Sequence, residues 1–153
     1  MASYHQQLQQ YFHAYEKEHG YLPTNLQDVA GWMIKKGHWQ IREADQVKRC
    51  ASDLADALRN EYRTDSRGRR YRVNHAVRGQ QGTFWADLDK APRRHMEKAF
   101  AQRRQQVVGD CVQLATDVNV YNDKNAEIEP INLVLDFTHD VEEALLAKDG
   151  DAA

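Results

Sequence analysis

Arg59-Asn60-Glu61-Tyr62-Arg63-Thr64-Asp65-Ser66-Arg67-Gly68-Arg69-Arg70-Tyr71-Arg72-Val73-Asn74-His75-Ala76-Val77-Arg78 sets seven arginines against two acids in twenty residues. Asp65-Ser66-Arg67-Gly68 in its middle is a turn signal: Asp and Ser favour turn starts, and Gly accepts positive φ. After it the chain alternates. Tyr71 and Val73 fall on one side of a strand, and Arg70, Arg72 and Asn74 on the other. The expectation is a β-hairpin anchored by its apolar face, with guanidinium groups presented outward, where the excess positive charge suits phosphate.

The segments before this hairpin carry helical periodicity. Tyr4, Leu8, Tyr11, Phe12 and Tyr15 recur at helical spacing, and Gly20 supplies a stop. Thr24 with Gln27 three residues on has the form of a capping box, followed by Leu26, Val29, Ala30 and Met33 along one face until Gly37. A third helix is expected from about Glu43 to Glu61, with Val47, Cys50, Ala51, Leu54, Leu58 and Tyr62 as its apolar stripe. Gln46, Lys48, Arg49, Ser52, Asp53 and Asp56 form its polar face.

Helix, short helix, helix and hairpin over residues 3 to 78 resembles the winged helix-turn-helix family in element order. The resemblance implies that the third helix enters a DNA major groove while the wing lies along the backbone or minor groove. On that basis Gln46, Lys48, Arg49 and Ser52 would face bases and phosphates, and Arg63, Arg67, Arg69, Arg70 and Arg72 would hold phosphate. Asp53 and Asp56 share the helix's polar face and repel phosphate, which shifts the weight of binding to the wing.

Downstream, Gly79-Gln80-Gln81-Gly82 reads as a flexible break, and Thr83–Leu88 as an apolar stretch docking back on the body. Asp87 and Asp89 are placed to cap a helix whose first turn holds Pro92. Val107, Cys111, Leu114, Val118 and Tyr121 then follow at intervals of 4, 3, 4 and 3, the spacing of a coiled-coil seam. A helix of this length beside so small a body predicts a homodimer paired along that seam.

Charge is divided between the two ends. Residues 1–122 carry 19 basic and 14 acidic side chains, whereas residues 123–153 carry two lysines against nine acids. Within this acidic tail lies an apolar island, Asn132-Leu133-Val134-Leu135-Asp136-Phe137. It resembles the peptide with which bacterial replication and repair proteins dock on the sliding clamp, matching at Leu133, Leu135 and Phe137, with Asn132 in the glutamine position. The resemblance implies a clamp as partner. The residues alone equally fit a segment packed on the long helix.

The resulting organisation is mainly α with a small β-hairpin: a winged-helix-like domain (1–78), a linker and long helix (79–122), and an acidic tail (123–153). No apolar run reaches the roughly 20 residues that span a bilayer, and the N-terminus lacks a signal-peptide pattern, so a cytoplasmic protein is expected. The reading adopted is that of a bacterial or mobile-element protein. Cys50 and Cys111 lie on apolar sides of helical patterns and read as reduced core residues. The seven histidines show no ligand spacing, and no glycine-rich phosphate loop is present, so no catalytic residue, metal or cofactor is expected. The expected function is non-enzymatic binding of double-stranded DNA, in a regulator or a replication or repair accessory factor. The alternative is a protein-interaction adaptor that uses the winged helix as a scaffold.

Overall fold

The computed structural model describes residues 1–151 and is mainly helical, with two small antiparallel hairpins and one long helix. The chain divides into two compact units, Met1–Asp53 and Leu54–Ala153.

In the first unit, α1 (Tyr4–His19) and α2 (Leu26–Lys35) pack through an aromatic face. α1 begins with a capping box: the Ser3 Oγ accepts from the Gln6 amide at 3.2 Å, and the Ser3 amide donates to Gln6 Oε1 at 2.7 Å. The cap of α2 differs from the expected one. Asn25 Oδ1 accepts the Gln27 amide at 2.9 Å, while Thr24 Oγ1 donates to the carbonyl of Leu22. Placing Asn25 at the cap sets Thr24 one residue outside the helix, where its hydroxyl closes a turn with Leu22 instead. Val29 and Met33 are the buried residues of α2. Trp32 meets the Tyr15 ring edge-on at 5.5 Å, Tyr11 stacks on His38 at 4.5 Å, and Trp39 Nε1 donates to the Tyr4 hydroxyl at 2.9 Å. Gly37, at φ 75°, lets the chain leave α2.

A short 3₁₀ turn (Glu43–Asp45) leads into α3 (Gln46–Arg59), which runs across the boundary between the units. No residue of α3 is buried, and Val47 and Leu54 of its stripe are exposed. Cys50, expected in a core, is exposed too, because nothing within its own unit covers the stripe.

In the second unit, β1 (Tyr62–Thr64) pairs with β2 (Arg70–Arg72) around the expected turn, in the register Tyr62↔Arg72 and Thr64↔Arg70. Asp65 Oδ1 accepts the amides of Arg67 and Arg69, and Gly68 takes φ 78°. The stretch read as a flexible break is instead the turn of a second hairpin, β3 (Asn74–Gly79) with β4 (Gly82–Asp87). Gly79 pairs with Gly82 across it, so Gln80-Gln81 forms a two-residue loop. Val73 joins the two hairpins: its amide donates to the Glu61 carbonyl at 3.1 Å and its carbonyl accepts from Leu88 at 2.7 Å. It is the most deeply buried side chain among those described, at 1% exposure.

The long helix α4 (Arg93–Lys124) is about 48 Å long at 1.5 Å per residue. Its first half lies against β3 through residues spaced at one turn. His95 Nε2 donates to the His75 carbonyl at 2.8 Å, and Ala99 is buried. Gln102 bonds both the amide and the carbonyl of Arg78, at 2.8 and 2.9 Å. His75 is itself buried against the Phe100 ring edge, with Nε2 donating to the Arg72 carbonyl. Pro92 occupies the cap position of α4 without a side-chain bond, so Asp87 and Asp89 do not cap this helix. After α4 the chain turns back, held by Asn122, whose amide side chain bonds both the carbonyl and the amide of Ile131 at 2.8 and 2.9 Å. Residues 129–137 have no regular secondary structure, and α5 (Thr138–Asp151) follows.

Candidate nucleic-acid interface

The β1–β2 hairpin brings Arg63, Arg67, Arg69, Arg70 and Arg72 onto one small element, but their guanidinium groups are unequally free. Arg63 forms a fork with the Asp87 carboxylate, at 3.0 and 2.9 Å, and reaches Asp89 at 2.8 Å. Tyr71 donates its hydroxyl to the same Asp89 at 2.8 Å. This ties the first hairpin to the end of the second. The bond to Arg63 holds the Asp87 carboxyl below the usual carboxylate range and raises the guanidinium's own pKa. Hydrogen bonding to Asp89 keeps the Tyr71 phenol protonated to higher pH than usual. Asp87 and Asp89, read from sequence as helix caps, are therefore acids of the hairpin region. The β-favouring run Thr83-Phe84-Trp85 is the signal for a strand that puts Asp87 at its end.

Arg69 pairs with Asp65 at 2.7 Å, and the Asp65 carboxyl is held low first by the Arg69 amide and then by its guanidinium. Arg59, upstream of the wing, pairs with Asp56 at 2.8 Å and lies over the Trp85 ring at 5.5 Å from its centroid. Arg70 stacks over Tyr62 at 4.2 Å, a contact that fixes the stem while leaving the charge without an acid. Among the described residues Arg67, Arg70 and Arg72 have no acidic partner. Arg67 and Arg70 are exposed and Arg72 is half-buried.

The third-helix candidates Gln46, Lys48, Arg49 and Ser52 are all exposed and belong to the first unit, whereas the wing belongs to the second. Along α4 the seam residues are unevenly covered. Cys111 and Val118 are half-buried; Val107, Leu114 and Tyr121 are exposed. Leu135 and Phe137 line a groove of about 470 Å³ with Arg104, Val107, Val108, Cys111, Val112 and Ala115 of α4. Part of the seam thus faces the chain's own returning segment. Leu133 in that segment is half exposed. Asp136 accepts from both the amide and the hydroxyl of Thr138, which holds its carboxyl low and starts α5.

Comparison with protein-family models, curated proteins and solved structures returns no match to this chain. Among the described residues no helix is long and apolar enough to cross a membrane.

Proposed function

We propose that this protein is a non-enzymatic DNA-binding protein of winged-helix type, in which the β1–β2 hairpin grips the phosphate backbone. The observation that carries this reading is the set of arginines without acidic partners, Arg67, Arg70 and Arg72, on one short hairpin whose other arginines are held by Asp65, Asp87 and Asp89. The paired arginines fix the wing's shape and the unpaired ones supply its charge. Gln46, Lys48, Arg49 and Ser52 on α3 are the candidates for base contact, in double-stranded DNA. The setting is a bacterial cytoplasm, with the chain acting as a dimer.

Each phosphate neutralised releases condensed counterions, so affinity falls with salt at a slope of about 0.9 per contact. Titrating labelled duplex at several salt concentrations, with wild type and the Arg67→Glu, Arg70→Glu, Arg72→Glu triple variant, tests the reading. The slope is expected to drop by about 5 in the variant, since a dimer loses three contacts from each copy. A salt-independent affinity, or a variant that binds as wild type does, removes DNA from the account.

The exposed apolar residues of the tail favour a second reading, a protein-interaction adaptor, with Val134 at 81% exposure as its plainest feature. Leu133, Leu135 and Phe137 would then be the docking residues, with a sliding clamp as the partner to try. Titrating the full chain against a bacterial clamp, with Leu133→Ala as the control, separates this reading from the first.

A further inference from the structure

At 100° per residue, the apolar side chains of α4's second half, from Tyr121 and Leu114 through Val107 and Cys111 to Val108 and Val112, sweep an arc of about 180°. The returning segment covers the arc only in part and leaves a groove along it. Cys111, Ala115 and Val118 are half-buried, while Val107, Leu114 and Val112 on the flanks are 53%, 43% and 61% exposed. The arc therefore has room for another helix, in the groove walled by Val107, Val112, Leu135 and Phe137 and closed at one end by Arg104.

α5 has the opposite need. None of its residues from 138 to 150 is covered, and Val141 and Leu145 stand 54% and 57% exposed on one face. Fourteen residues ending in Gly150-Asp151 make a marginal helix unless one face is packed. Its apolar face is flanked by Asp140 and Glu143 on one side and Glu142 and Asp149 on the other. Beside the groove α4 carries Arg103 and Arg104, with Asp110 as the one acid among residues 103–115. An acidic helix lacking a packing surface and an apolar groove beside basic residues are complementary in shape and sign.

We propose that α5 of one copy seats in the α4 groove of a second copy, reciprocally, to form a two-fold exchanged dimer. Val141 and Leu145 enter between Val107 and Val112, and the flanking carboxylates face Arg103 and Arg104. This deepens the pairing in the functional reading by naming the segment exchanged, and it does not depend on DNA binding.

Two experiments on the full chain test it. In a Cys50→Ser background, Leu145→Cys places a thiol on the α5 face opposite the partner's Cys111. Mild oxidation with oxidised glutathione is expected to give a covalent dimer, with peptide mass spectrometry locating the bridge between the introduced thiol and Cys111. A bridge within one chain, or no such bridge, overturns the exchange.

Sedimentation equilibrium supplies the second test. Wild type is expected at twice the 17.7 kDa chain mass. Arg103→Glu with Arg104→Glu, and separately Glu142→Arg with Glu143→Arg, each weaken self-association by about tenfold or more through like-charge contact. An equimolar mixture of these two variants restores the dimer, because both exchanged sites then join opposite charges. A dimer indifferent to both variants, or no rescue in the mixture, overturns the exchange and leaves pairing through α4 standing. A monomeric wild type overturns both.

Discussion

Val73 and Arg63 hold the hairpin region together by different means. Val73 is buried at the junction of the two hairpins and spends both backbone groups on bridging them. Val73→Ala should lower the unfolding free energy by about 2 kcal/mol, read by urea denaturation, through lost apolar burial and the cavity left behind. Arg63 works by charge, joining β1 to Asp87 and Asp89. Because the Asp87 carboxyl is held below its ordinary value, the folded state favours its ionised form. That contribution is complete above the unfolded carboxylate pKa of about 4 and fades as pH falls through the lower folded value. The melting-temperature advantage of wild type over Asp87→Asn should therefore be present at pH 7 and shrink on acidification below about pH 4, in thermal melts across that range. The sequence displayed the arginines of this cluster but not their partners, since an ion pair across 24 residues leaves no local pattern.

At the level of elements, two side-chain amides act as clips. Gln102 continues the hydrogen bonding of the β3 edge by engaging both backbone groups of Arg78. In Gln102→Ala the Arg78 amide should exchange with deuterium faster, while the His75 and Val77 amides, which face β4 inside the hairpin, change little. Asn122 plays the same part for the returning segment, so Asn122→Ala should raise exchange at Ile131 and through residues 132–137 without disturbing α4 upstream of it. The long helix, the first hairpin and its Asp65–Gly68 turn were legible from periodicity and turn chemistry. The second hairpin was not, because a Gly-Gln-Gln-Gly run fits a linker as well as a tight turn, and only the pairing of Asn74 with Asp87 tells them apart. The cap of α2 was misread for a similar reason: Thr24 and Asn25 are adjacent, both able to cap, and the backbone conformation chooses between them.

For the whole molecule, grip on DNA and self-association should be linked. If three arginines per copy contact phosphate, a dimer makes about six such contacts and its salt slope should lie near 5. Leu145→Asp, which places a charge on the face of α5 that seats in the groove, should yield a monomer whose slope falls to about 3 in the same duplex titration. The extensive apolar exposure on α4, the returning segment and α5 has the same root as that linkage, a chain with more apolar face than its own fold covers.

The sequence by itself determined which segments are helical, where the first hairpin turns, and how charge divides between body and tail. These are properties of neighbouring residues: periodicity, capping chemistry and composition. Tertiary structure decided which arginines are neutralised, which stripes are covered and where Leu135 and Phe137 lie. Each of those depends on residues far apart in the chain meeting in space. Arg63 and Arg70 look alike in the sequence, and only the approach of Asp87 and Asp89 to one, and of the Tyr62 ring to the other, gives them different work.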